Sequence, residues 1–175
     1  GSACKGQTAG SPLYVSNFTG VRSFTTTLNY DADIMECIGY IHVNTLLEAE
    51  IQPIAYPAAG RITISWTGTS SLTLPENTLI LELVFASNLN GISTVEWDAA
   101  PGVNHFLDNN GLDLFVDYSM GSIIVNSVPD IIEPGEIKVC QGGDFIFNPG
   151  IAGGTGAITY RWQDPGGVVT AFPEL

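Results

Sequence analysis

Positive charge is scarce in this 175-residue chain: five Lys and Arg stand against 18 Asp and Glu, for a formal net charge of −13 at pH 7. An imbalance of that size repels phosphate backbones and anionic lipid heads, which argues against nucleic acid or a membrane surface as partner. Long apolar runs are missing as well, and none approaches the ~20 residues that cross a bilayer. No signal peptide opens the chain, and Gly1-Ser2 reads as the remnant of an expression tag. Sustained 3.6-residue periodicity is absent, which excludes α/β architectures. Cysteine is scarce and odd in number, at Cys4, Cys37 and Cys140 without a CxxC, so zinc and thioredoxin-like chemistry lack a ligand set. A Cys4–Cys37 bridge is one of three pairings that can be drawn, with buried or unpaired thiols as the other reading.

What is present is apolar material in short alternating pieces. Hydrophobic residues make up 45% of the chain and charged ones only 13%, so Thr, Ser, Asn and Gly must carry much of the solubility, a balance suited to an extracellular β-protein. Ser23 to Tyr30 (SFTTTLNY), Arg61 to Thr67 (RITISWT) and Thr78 to Phe85 (TLILELVF) alternate with period two, as half-buried strands do. Ser11–Ser16, Thr94–Trp97, Leu112–Val116 and Ser122–Asn126 are further strand candidates, separated by turn dipeptides such as Asn90-Gly91, Pro101-Gly102 and Asn110-Gly111. This density of short strands predicts an antiparallel sandwich. One segment, Ala32 to Cys37 after Asp31, carries the signal of a single capped helical turn.

The strand pattern stops over residues 127–135 (SVPDIIEPG), where two prolines indicate a semi-rigid linker. The expected organisation is a sandwich over 1–126, the linker, and a partial second module over 136–175. Cys4-Lys5-Gly6-Gln7 and Cys140-Gln141-Gly142-Gly143 open the two modules alike, as in a slice through a multimodular chain.

Candidate chemistry is sparse. Asp31, Asp98, Asp108 and Asp113 sit in turns rather than as a pair across a cleft, and His42 and His105 lack any nucleophile motif near them, so no catalytic set is expected. Asp108, Asn110 and Asp113 flank Gly111 somewhat as calcium-loop oxygens do, but the distal Glu is missing and a hairpin needs Asn-Gly on its own account. No cofactor is therefore called for, calcium being the one alternative. Trp66 and Trp97 fall on inward phases, which predicts core rather than sugar platforms; Tyr40, Tyr56 and Tyr118 lie in or near loops.

The order SFTTTLNYDADIMECIGY, GRITISWTG, TLILELVF, HFLDNNGLDL and GSIIVN resembles the cohesin family, nine-stranded antiparallel jelly-roll sandwiches related to carbohydrate-binding modules. The tail, with Cys140, Gly153-Gly154-Thr155-Gly156 and Tyr160-Arg161-Trp162, is similar to the start of the Ig-like or PKD-like repeats of secreted Bacteroidetes-type proteins. The resemblance implies non-catalytic extracellular or cell-surface attachment to a protein partner, a dockerin-like module or a neighbouring chain, with polysaccharide binding or a spacer role as alternatives. Cohesins bind through their third, fifth, sixth and eighth strands, which on this reading are Ser23–Tyr30, Arg61–Thr67, Leu79–Phe85 and His105–Asp108. The implied face is Ser23, Thr25, Thr27, Thr63, Ser65 and Thr67 beside Ile80, Glu82 and Val84. Dockerin-binding cohesins carry Asn and Asp on the third strand where this chain has Ser23 and Thr25, and charge-assisted bonds are the stronger kind. That departure weighs toward attachment in general over dockerin recognition in the strict sense.

Overall fold

The computed structural model describes residues 1–48, 55–132, 150–154, 161–163 and 169–171; for 55–58, 131, 161–163 and 169–171 only the backbone is described. The chain divides after Val128 into a first unit, 1–128, and a second, 129–175.

In the first unit the alternating segments become strands, and their apolar halves close on each other. The strands are β1 (Ser2–Cys4), β2 (Thr8–Val15), β3 (Val21–Asn29), β4 (Met35–Ile41), β5 (Ala55–Ala58), β6 (Arg61–Leu72), β7 (Thr78–Ser87), β8 (Gly91–Trp97), β9 (His105–Leu107) and β10 (Gly121–Asn126). They form a seven-stranded sheet in the order β1-β10-β8-β3-β6-β5, with β9 also on β3, and a three-stranded sheet β2-β7-β4. The sandwich is thus the expected all-β class, with ten strands described where nine were expected. One pair departs from antiparallel: β1 runs parallel to β10, with Ser2 opposite Ile124.

The core lies between the sheets. Phe24, Leu28, Ile62, Ile64 and Trp66 come from the larger sheet, and Leu81, Leu83 and Phe85 from β7, all of them buried. Tyr30 ties the layers: its ring meets Phe85 edge-on at 5.2 Å, and its hydroxyl accepts from Cys37 N at 3.3 Å. Gly60, at φ 77°, turns β5 into β6; a Cβ there would stand 2.7 Å from Tyr30 O, so a glycine is required.

Three sequence expectations change. The turn after Asp31 exists, with Asp31 Oδ1 accepting from Asp33 N at 2.9 Å, but it is followed at once by strand β4, because Met35 and Cys37 bury against β7. Leu112–Val116 forms no strand; a single bridge joins Asp113 to Leu107. Ile80, expected to face outward, is 1% exposed. Leu13 pairs with Leu81 while the next residue, Tyr14, pairs with Leu79, so Ile80 is the extra residue of a β-bulge and turns inward beside Leu81.

Cys4 carries a free, half-buried thiol at the end of β1, and Cys37 directs Sγ toward Gly39 O at 3.6 Å, so the Cys4–Cys37 bridge is not formed. The two residues belong to different sheets. Cys140 lies outside the described residues, as does most of the module expected over 136–175. In the second unit, β11 (Asp130–Ile132), inside the segment read as linker, pairs with β12 (Gly150–Ala152), and β13 (Arg161–Gln163) pairs with β14 (Val169–Ala171). No helix among the described residues is long and apolar enough to cross a membrane.

The bulge makes a prediction. Ile80→Ala should cost about 2–5 kcal/mol of unfolding free energy in urea titration, as for a fully buried aliphatic side chain, and Val84→Ala, half-buried on the outer face of β7, markedly less. Equal losses would show that Ile80 does not face the core.

Candidate protein-docking face

The strongest site candidate is the back of the aromatic core. On β9, β3 and β6, Phe106, Phe24 and Trp66 are direct cross-strand neighbours, with ring centroids 5.3 Å and 5.9 Å apart in stacked pairs. One residue further along each strand the side chain points the other way. The outer face is therefore built in rows: Leu107, Ser23 and Thr67; then His105, Thr25 and Ser65; then Thr27 and Thr63. Ser23, Thr25, Thr63 and Ser65 are half-buried and Thr67 is exposed, while Thr27 is covered.

The hydroxyls satisfy one another across the strands. Thr25 Oγ1 and Ser65 Oγ lie 3.1 Å apart, and Thr27 Oγ1 and Thr63 Oγ1 3.0 Å. Each such pair is worth roughly 0.2–1 kcal/mol to the sheet. A hydroxyl donates once but accepts twice, so each pair still offers an O–H and lone pairs to an incoming surface.

The implied face is split by the fold. Ser23, Thr25, Thr27, Thr63, Ser65 and Thr67 share one surface, whereas Ile80, Glu82 and Val84 belong to β7 in the opposite sheet. Of those three, Ile80 is core; Glu82 and Val84 sit on that sheet's own outer face, where Glu82 lies over Gly10 and reaches His42 Nδ1 at 2.9 Å. The cause is a miscount of strands. One strand between β3 and β6 goes uncounted because β5 is only four residues, AYPA, without alternation, so Arg61–Leu72 is the sixth strand, not the fifth, and Thr78–Ser87 is the seventh.

Loops 98–104 and 108–113 frame the hydroxyl rows, and their acids act as turn formers. Asp98 Oδ1 accepts from Ala100 N at 2.9 Å and Asp108 Oδ1 from Asn110 N at 2.7 Å, each two residues ahead, as in Asx turns. Asn104 pins the first loop to β3, accepting from Thr26 Oγ1 and Thr27 N and donating to Asp98 O. Asp98 also pairs with Arg61 at 2.6 Å. Asp108 further accepts from Leu112 N at 2.9 Å, and that bond above all holds its carboxyl below the usual range. Asp113 turns to His105 instead. Of the candidate calcium ligands, Asp108 and Asn110 are thus committed to the loop itself and Asp113 to His105, and no three acidic, His or Cys side chains among the described residues come together as a metal centre.

His105 and Arg61 are the site residues that sequence patterning did not single out; His105 was read only as a solitary histidine, because its partners arrive from a turn. His105 Nδ1 meets Asp113 Oδ1 and Nε2 meets Gly102 O, both at 2.9 Å. Both partners are acceptors, so the doubly protonated ring satisfies both and the neutral ring only one. The Asp113 hydrogen bond, then the Gly102 carbonyl, raise the His105 pKa above its ordinary 6.5.

Aromatic platforms for sugars are not on offer at this face. Trp66 is 2% exposed, and Trp97, half-buried, donates Nε1 to Ser119 O at 2.8 Å and packs against Tyr118 at 45°. Tyr40 is exposed without an aromatic contact, Tyr118 is exposed but turned onto Trp97 and Phe106, and the Tyr56 side chain lies outside the described residues.

A raised folded-state pKa means that His105 adds stability in full below its unfolded value and loses it as pH rises through the folded value. The imidazole should titrate above 6.5 by NMR, and Asp113→Asn should bring the midpoint down. A midpoint unmoved by that substitution would show that Asp113 does not hold the ring.

No protein-family model matches the chain, and no curated protein matches it in sequence. Solved structures do resemble it. CaCohA2 from Clostridium acetobutylicum superposes with a TM-score of 0.62 at 22% identity, over 71% of this chain and 93% of that one. The seventh ScaB type I cohesin of Pseudobacteroides cellulosolvens gives 0.60 at 17%, over 79% and 93%. Coh-OlpC, from a type I cohesin–dockerin complex of Clostridium thermocellum, gives 0.59 at 14%, over 73% and 89%. The first unit has the cohesin fold.

Proposed function

We propose that the first unit is a non-catalytic attachment module that takes a protein partner of the dockerin type on the outer face of β5, β6, β3 and β9, within an extracellular or cell-surface protein. The observation that carries this reading is the hydroxyl-lined face itself: strands in cohesin order, three cross-strand rows, and a rim of His105, Asp113, Arg61 and Asp98 whose charges are already paired. The neighbour from Clostridium thermocellum, a cohesin–dockerin complex, supports the partner class. With Ser23 and Thr25 in place of Asn and Asp, the partner is recognised through shape and neutral hydrogen bonds, so its contacting helix presents small polar and apolar side chains rather than a cluster of cations. Residues 136–175 we read as the start of an Ig-like or PKD-like repeat of the same secreted chain.

Calorimetric titration against a panel of calcium-loaded type I and type II dockerin modules tests the reading. At least one should bind in the micromolar range or tighter, and Thr25→Arg/Ser65→Arg should weaken it about a hundredfold while lowering the melting temperature by only a few degrees, the cost of the lost hydroxyl pair and of two facing cations. No binding across the panel would remove the dockerin class; binding indifferent to the double variant would remove the face.

A further inference from the structure

A second feature of the first unit lies away from the docking face, where the sandwich fails to close. A cleft of about 700 Å³ runs between β2 and the extended segment 114–120, and its floor is the core: Leu13, Phe24, Leu28, Ile80, Leu83 and Phe106. Cavities of this size and lining are typical of ligand sites. The walls are unusual in that both are backbone edges. β2 is the edge strand of its sheet and pairs with β7 alone. Across the cleft, among the described residues, Leu114 N donates to Phe106 O, but no backbone–backbone hydrogen bond involves Phe115 to Met120. Large apolar side chains stand open at the lip: Phe115 is 91% exposed, Met120 69% and Tyr14 57%.

We propose that this cleft accepts an extended peptide strand from a partner protein. Backbone N–H and C=O groups seek partners, and an edge left unpaired beside an apolar floor is a template for an added strand. An apolar small molecule would fill the floor but leave the backbone of both walls unsatisfied, whereas a strand meets both demands at once. The walls set the chemistry of the occupant. Beyond Pro12, which has no N–H to give an added strand, Leu13 to Asn17 line the cleft, and at about 3.3 Å per residue they match a donor core of roughly five residues. Alternate donor side chains point to the floor and must be apolar; the others face solvent. With Asp117 in the lining and a chain at −13, the donor is neutral or basic.

The probe is a fluorescein-labelled heptapeptide, Lys-Val-Thr-Val-Thr-Val-Lys, added to the full chain and followed by anisotropy and amide hydrogen exchange. Binding is expected below about 1 mM, with new protection confined to residues 13–17 and 115–120. Proline in place of the central valine should abolish it, and glutamates in place of the lysines should weaken it. Phe115→Ser, which removes the apolar side chain without adding charge at an exposed position, should weaken binding about tenfold. Thr25→Arg/Ser65→Arg should leave it unchanged, which separates this site from the docking face. No binding, equal binding of the proline peptide, or protection elsewhere overturns the proposal. Self-association of the chain that protects the same amides without peptide would make the occupant a second copy and overturn it equally.

Discussion

The stacked row of Phe106, Phe24 and Trp66 is the constraint on which the rest of the first unit depends. Three rings on three adjacent strands, in direct register, must all face the same way to be buried, and stacked pairs of this kind add ~0.5–1.5 kcal/mol each beyond the area they remove from water. Phe18 meets both phenylalanines edge-on from outside the row, at 6.3 Å in each case. Slipping any strand by one residue would put a ring into water and a hydroxyl into the core. The register of the outer surface follows from that, because a side chain one residue along has no choice but to face out.

The surface that results is neutral in an acidic molecule. Thr25 with Ser65 and Thr27 with Thr63 consume part of each other's hydrogen-bonding capacity, which lets the rows be half-buried at little cost. The charges nearby are paired locally: Arg61 with Asp98, His105 with Asp113. The face itself therefore presents no strong field. The opposite sheet solves its outer face differently, with small residues such as Gly10 under a Glu82–His42 pair.

Closure of the sandwich is uneven. Along β3 and β6 the sheets are sealed by aromatics, whereas beside β2 the chain passes as segment 114–120 without joining a ladder. The reason is visible in the loop before it: Asp108 binds the Asn110 and Leu112 amides and Asp113 is held by His105, which ends β9 after three residues and sends the chain away from the sheet. Turn chemistry here overrides the alternation of Leu112–Val116, and the strand expected there does not form.

The sequence by itself determined the class of fold, the inward set and the hydroxyl set of β3 and β6, and the turn role of the aspartates, because period-two alternation and Asx chemistry are local and need no partner. It also held the cohesin resemblance, in the order of its segments. Only the tertiary structure decided which strands share a sheet. β7 has as clean an alternation as β6, yet it belongs to the other layer, and its bulge at Ile80 arises from pairing with Leu13 and Tyr14 some seventy positions away in the chain. The same holds for His105, whose charge depends on Asp113 and Gly102 closing on it from two turns, and for the open cleft beside β2. Local pattern specifies which face of a strand is apolar; it carries no information on which neighbour that face will meet.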